Sequence, residues 1–444
     1  MRGGRSTLIL VAVFLGMLGY YVYDSRRDPA PATDEKPKAF TVEADKIEEL
    51  TVKAPGGETT KLRKGSAGWE MVEPTGTPAD QTEATSIAQT LSTLEIQRVI
   101  DENASELAQY GLAEPKVEIE FRASGQKTPT GLQLGDKTPT GGELYAKTPD
   151  SKRVFLIASY LDSTFNKTPF ALRDKAVLKF ERDKVTALEI VRPKDALAFA
   201  KEGSDWNLTK PSRASGDYSA IEGLIGQIQS AQMTALTATE PKDLREYGLD
   251  KPTLGATVIA GGGRHTLEVG NASPDGSVYA RDTARPIVFT ISKALATELE
   301  KPALDYRKKD IFDFRPFTAT RIELTRDNVT SVYEKVKGAG ENAPDKWQLT
   351  APTKKDLDTT KFEAALTQIS GLRAESFADT VPPAALKTPA AIVTVKSDEG
   401  KKEERVTFGK SASDTFAVKS GESGAAKIES SAFDNALKAF DEFK

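Results

Sequence analysis

The chain has three tryptophans, and they are one position used three times. Trp206-Asn207-Leu208-Thr209-Lys210-Pro211 is followed by Tyr247-Gly248-Leu249-Asp250-Lys251-Pro252. Trp69-Glu70-Met71-Val72-Glu73-Pro74 is followed by Tyr110-Gly111-Leu112-Ala113-Glu114-Pro115, and both elements recur after 137 positions. Trp347-Gln348-Leu349-Thr350-Ala351-Pro352 opens a third copy 141 positions further on. A period of this length is a small domain, not a solenoid unit. A chain of 444 residues independently has room for about three domains. The reading is therefore one module, three times, each copy large enough to bury a core of its own.

Each copy starts ahead of its Trp. Residues 47–52, 185–191 and 320–325 alternate roughly as half-buried strands do. A second strand follows over 59–63, 196–201 and 330–336, and the Trp opens a third. Pro74, Pro211 and Pro352 close that strand, because proline cannot donate to a ladder. A helix comes next, with one apolar stripe: Ile87, Leu91 and Leu94; then Ile221, Leu224, Ile225 and Ile228; then Phe362, Leu366, Ile369 and Leu372. Asp80, Asp217 and Asp358 fall at its start, where a carboxylate caps free amides, and capping is preferred to catalysis for them. Gly111 and Gly248 are expected to end a short helix in the left-handed region. The third copy keeps only Ala385-Leu386-Lys387-Thr388-Pro389 at that point. Tyr110 and Tyr247 are read as packing residues in preference to binding residues. A four-strand antiparallel meander and a short helix complete each module. The expected fold is thus α+β: three tandem repeats, each an antiparallel meander sheet with one main amphipathic helix and short flanking helices.

The first 39 residues differ in kind. No charge occurs from Ser6 to Tyr23, and Tyr20, Tyr21 and Tyr23 gather at the far end of that run. This is the short end of what spans a bilayer as a helix, with aromatic residues at headgroup level. A cleaved signal peptide is the competing reading, but large Tyr and Val fill the place where small residues are needed. The expected layout is a cytoplasmic tail 1–5, a transmembrane helix 6–23 and a Pro-rich linker 24–39. Modules over 40–170, 171–304 and 305–444 follow. Flanking arginines are balanced, so orientation rests on the short N-terminal tail, which suits export of the C-terminal bulk. The expected localisation is the bacterial inner membrane, single-pass, with that bulk periplasmic.

Charge and composition remove several functions. Basic residues number 61 against 65 acidic ones and are dispersed, which leaves no footprint for nucleic acid. Cysteine is absent, so disulfides, thiolate nucleophiles and Cys-ligated metals are excluded. His265 is the single histidine and follows Gly261-Gly262-Gly263-Arg264 in an expected hairpin, where a solvated turn residue is the default. The glycine run lacks the Lys and the strand-to-helix context of a phosphate loop. No pair of carboxylates stands out for glycoside chemistry. No catalytic, cofactor or metal residue is assigned. One further repeated signal lies between modules: Leu172-Arg173-Asp174-Lys175 matches Tyr306-Arg307-Lys308-Lys309. Arg173 and Arg307 are read first as connector residues that pair with the next module, and second as candidates for partner docking.

The Trp-x-Leu-x-x-Pro, Tyr-Gly-Leu-x-x-Pro and Leu-x-Leu-Gly elements, with Tyr145-Ala146 or Val278-Tyr279-Ala280, resemble the bacterial domain-of-unknown-function family DUF4340. The resemblance covers most of 40–444 and is weakest in the third copy. It implies a protein with one N-terminal membrane helix, auxiliary to gliding-motility-type ABC transporter subunits. It brings no catalytic residues. The expected function is a membrane-anchored, non-catalytic accessory or scaffold protein of the bacterial envelope, with an envelope protein such as an ABC transporter subunit as partner. The alternative is a module that binds envelope polysaccharide or peptidoglycan.

Overall fold

A computed structural model describes residues 36–74, 77–338, 344–378 and 383–444, together with positions 17, 18 and 380. The tail 1–5, the linker up to 35 and all of the expected membrane helix 6–23 except Met17 and Leu18 lie outside the described residues. Among the described residues no helix is long and apolar enough to cross a membrane. The chain divides into two compact units, Met1–Lys175 and Ala176–Lys444. The first unit holds one nine-stranded sheet and the second holds two, all with the same strand order. The fold is α+β with three repeats.

In the first sheet the strands are β1 (Ile47–Lys53), β2 (Thr59–Gly65), β3 (Gly68–Glu73), β4 (Thr77–Pro78), β5 (Arg98–Asp101), β6 (Val117–Ala123), β7 (Thr130–Lys137), β8 (Glu143–Lys147) and β9 (Val154–Ala158). Their spatial order is β4-β3-β2-β1-β6-β7-β8-β9-β5, antiparallel throughout. Two meanders therefore meet at the β1–β6 pair. The helix α1 (Gln81–Thr93) joins β4 on one edge to β5 on the other. Alternation along β6 buries Val117, Ile119, Phe121 and Ala123, so one face meets the helix and the other carries Glu118, Glu120 and Arg122. That second face is laced by cross-strand ion pairs such as Lys53–Glu118 and Arg122–Glu49.

The tryptophans are core residues, 4, 1 and 0 % exposed for Trp69, Trp206 and Trp347. The helical stripes are buried in α1, in α2 (Tyr218–Ser230) and in α3 (Thr359–Ser370). Each of these helices is capped by the expected aspartate: Asp80 accepts from the Thr82 and Glu83 N–H groups, Asp217 from Ala220 and Asp358 from Lys361. The peptide bonds before Pro74, Pro211 and Pro352 are all cis. Gly111 and Gly248 end short 3-10 turns at φ +67° and +68°. In the third module the helix Pro383–Lys387 stands in that place.

The Leu-x-Leu-Gly element now has a physical reason. A Cβ on Gly135, Gly270 or Gly409 would lie 2.1 Å from the carbonyl oxygen of Tyr110, Tyr247 or Ala385 respectively. Only glycine lets the turn lie this close on the sheet. Tyr110 packs on Tyr145 and Tyr247 on Tyr279, with ring centroids 5.0 and 5.2 Å apart.

Three features differ from the sequence reading. The meander is not a separate sheet but half of a nine-stranded one. β5 and its counterparts Ala235–Ala238 and Ala374–Ala378 are additional strands, short and half-exposed, without an alternation long enough to read. The segment before β1 is also ordered earlier than expected: the Ala39 N–H donates to Leu94 O and the Ile96 N–H to Pro37 O. Backbone pairing of this kind needs no apolar side chain, which is why Pro37 to Ala39 read as linker.

Candidate functional site

The repeated connector was the one candidate for interaction, and both its arginines are buried, Arg173 at 3 % and Arg307 at 6 % exposure. The first unit contains the Arg173 segment. Arg173 forms a bridge with Ala79, beside β4, and its Nη1 donates to Thr77 Oγ1 at 3.1 Å. Lys175 donates to Asp80 Oδ2 at 2.9 Å. Burial works to raise the Asp80 pKa, but Lys175 and the capped amides outweigh it, and the carboxyl stays below the usual range. The helix cap and the connector thus share one carboxylate.

The Arg307 segment lies in the second unit, where it joins the second module to the third. Tyr306 fills the second module's core, 2 % exposed, with its ring 5.3 Å from Phe199 and its hydroxyl donating to Glu298 O. Burial pushes that hydroxyl's pKa upward. Arg307 bridges Gly216 and lies 4.2 Å from the Phe377 ring centroid. Its Nη2 is 3.4 Å from Glu422 Oε2 and from the Ser423 carbonyl, both in the third module. Glu422 also accepts from Ser215 Oγ at 2.6 Å, and the Ser423 N–H donates to Arg213 O at 2.9 Å. The turn that holds Glu422 follows the strand Asp414–Lys419.

Beside this joint lies an ionic cluster. Lys419 Nζ is 2.6 Å from Asp313 Oδ2 and 2.9 Å from Glu404 Oε1. Lys308 also donates to Asp313, and Glu404 accepts from the Asp313 and Phe314 N–H groups. For Asp313, burial favours the neutral form, yet Lys419 and Lys308 hold the carboxyl below its ordinary 3.8. For Lys419, burial would lower the pKa, and Asp313 with Glu404 raises it above 10.5 instead. Both groups are therefore charged and paired. Around them opens a depression of about 360 Å³, solvent included, lined by Arg307, Lys308, Phe377, Lys419 and Glu422.

This arrangement can hold two modules together; its cations are matched by carboxylates, so it offers no unbalanced charge to a ligand. Asp313, Glu404, Lys419, Glu422 and Phe377 were not found from the sequence. Glu422 falls where the other modules have Ser151 and Arg285, so nothing repeated marks it. His265 is not a turn residue: it pairs with Val258 in mid-hairpin, half-buried, with its ring 6.1 Å from Phe180. Among the described residues no group of three His, Asp or Glu side chains is placed to hold a metal ion.

The family described as "Domain of unknown function (DUF4340)" matches residues 69–207 and, a second time, 206–389. No curated protein matches the chain.

Proposed function

The chain belongs to the DUF4340 family, and on that basis we propose that it is a membrane-tethered, non-catalytic scaffold of the bacterial envelope. Its N-terminal run 6–23 spans the inner membrane, and its three modules stand on the periplasmic side. Its partner is an envelope membrane protein of the ABC transporter subunit kind, and the joints near Arg173 and Arg307 position the surfaces it meets. The observation that carries this reading is where the recurring side chains go. The tryptophans are buried, the aspartates cap helices and the glycines receive a carbonyl. What the chain repeats is packing, which favours a role in spacing and presentation over chemistry. The uncharged stretch from Ser6 to Tyr23 supports the tether.

The test is to crosslink native membranes, solubilise them, pull the protein down and identify what comes with it. A membrane protein recovered in stoichiometric amount supports the proposal. Recovery without one, together with retention on purified cell-wall polymer, replaces it with polymer binding. Fractionation of the full chain with the soluble cytosol overturns both.

A further inference from the structure

In two of the three modules the chain itself fills the outer edge of the short strand after the Trp hairpin. In the first module the Asp80 N–H donates to Leu172 O at 2.8 Å and the Asp174 N–H to Pro78 O at 3.1 Å. In the second, the Asp217 N–H donates to Tyr306 O at 2.8 Å and the Lys308 N–H to Ser215 O at 2.9 Å. The register is the same: Arg173 faces Ala79 and Arg307 faces Gly216. The third module has the same edge in Lys355, Asp356 and Leu357, and Leu357 donates to Trp347 O as Ala79 does to Trp69 and Gly216 to Trp206. Among the described residues no segment pairs with the outer side of that edge.

An extended segment could add there by main-chain hydrogen bonds. Its chemistry follows from comparing the slots. In the second module the incoming Tyr306 plugs the core beside Phe199. Phe199 faces Leu208, and the matching pair in the third module is Tyr333 and Leu349. There the rings against Tyr333 are the module's own Phe362 and Phe440, 4.8 and 5.9 Å away. The third slot is already plugged, so its occupant needs no large apolar residue. On the receiving strand, Arg173 reaches Thr77, which faces Met71. The residue that faces Leu349 in the same way is Lys355. The third slot therefore presents a cation where the first presents a hydroxyl, and suits an acidic residue at the arginine position.

The chain carries such a segment. The strands that lead into each module share a register, since Ala39, Val177 and Ile311 donate to Leu94, Ala231 and Leu372. Four positions before these residues stand Glu35, Arg173 and Arg307, and five before them stand Asp34, Leu172 and Tyr306. The first module's lead is thus acidic at the place where the other two are basic, and polar where they are apolar. Both departures match the third slot. We propose that the open edge of the third module binds residues 34–36 of a second copy of this chain, in the register that Arg173 and Arg307 use internally. Glu35 of one copy then lies against Lys355 of the next. Such a contact is heterologous, so it extends into a row or closes into a ring.

The chain has no cysteine, which makes the test direct. Full-length Glu35→Cys and Lys355→Cys proteins are prepared separately in detergent, mixed and oxidised. A mixed disulfide dimer is expected, on the order of tenfold above a pairing of Glu35→Cys with the exposed control Lys401→Cys, because docking raises the effective concentration. Sedimentation of cysteine-free protein should show concentration-dependent association that either Lys355→Glu or Glu35→Lys abolishes and that the doubly swapped protein regains. Crosslinking no better than the control overturns the proposal, and so does failure of the double swap to restore association. Lys355→Cys coupling faster to itself than to Glu35→Cys means edge-to-edge pairing and overturns it too.

Discussion

Gly270→Ala and Gly223→Ala are the same chemical change, and the structure assigns them opposite signs. The Gly270 Cβ would come 2.1 Å from Tyr247 O and 3.0 Å from Leu249 Cγ. Carbon and carbonyl oxygen normally approach to about 3.3 Å, so the overlap exceeds an ångström. Neither neighbour yields easily. The turn is held by the Gly248 N–H to Arg245 O and the Leu249 N–H to Leu244 O, at 3.1 and 2.9 Å. The whole turn must lift, and with it Leu249, which is fully buried. Overpacking alone costs about 1–3 kcal/mol, and partial exposure of a leucine adds about 1 kcal/mol. A loss of about 3 kcal/mol is expected, roughly a hundredfold in the opening equilibrium. Gly223 lies exposed inside α2 with nothing within 4 Å of its Cβ. Alanine there should stabilise by about 0.5–1 kcal/mol, through helix propensity and a less disordered unfolded chain. Hydrogen exchange read by mass spectrometry over the second module, with urea denaturation alongside, measures both. A Gly270→Ala protein within about 0.5 kcal/mol of the parent would refute the close-approach argument.

Trp206→Phe should cost about 1–3 kcal/mol more than Trp347→Phe, measured by urea denaturation. The Trp206 indole donates to Glu222 at 3.0 Å, whereas the buried Trp347 N–H has no partner among the described residues, so its loss leaves nothing unsatisfied. Asp217→Ala should cost about 1 kcal/mol, with faster exchange confined to the first turn of α2; a change spread over the whole module would mean that Asp217 does more than cap. The Asp313 carboxyl is held below 3.8, so its stabilisation is complete above that pH and disappears as pH falls through the folded-state value. The raised Lys419 pKa acts in reverse: its contribution is complete below 10.5 and lost as pH rises beyond the folded-state value. The stability gap between the parent and Asp313→Asn should accordingly be flat from about pH 5 to 9 and shrink in acid; a gap that grows in acid contradicts the assigned sign.

The elements that the sequence made legible are those whose local chemistry is sufficient to define them. Asp80 before a 3.6-period stripe is a cap in any context, and Gly111 after a short helix ends it in the left-handed region. The Trp–Pro strands and the meander strands alternate strongly enough to read. What stayed hidden depends on partners distant in sequence. Joining the two meanders at the β1–β6 pair is a choice of neighbour, and no residue in Ile47–Lys53 names Val117–Ala123. β5 is too short to show a period. The joint was harder still. Arg307 recurs and was visible, but Glu422, Asp313 and Lys419 do not recur, because the same joint is held differently elsewhere. At the start of the second module Arg285 donates to the Ala176 carbonyl at 2.9 Å and also to that of Val177, so a cation of the module grips the connector. At the start of the third, a connector cation is gripped by the module's Glu422. Repetition of sequence therefore marks the module and is silent on how modules are held together.

The same reasoning separates the sequence unit from the folding unit. Both family matches open at a tryptophan, at residues 69 and 206, and the first ends at 207. In space the Trp strand is interior to its sheet, between β2 and β4 in the first module. A fragment cut to the second match, 206–389, would lose the strands Val185–Val191 and Ala196–Glu202. Val185–Val191 is the strand that joins the two meanders, buried at Val185, Leu188 and Ile190, and its removal exposes the core from within. A fragment spanning 176–308 instead keeps every strand of the second sheet, the Tyr306 plug and the Arg307 bridge. It should show cooperative thermal unfolding and a sharp near-ultraviolet signal from Trp206, whereas 206–389 should show neither. If 206–389 folds and 176–308 does not, the nine-stranded sheet is not the unit that buries the core, and the placement of each Trp at the centre of its own module is wrong.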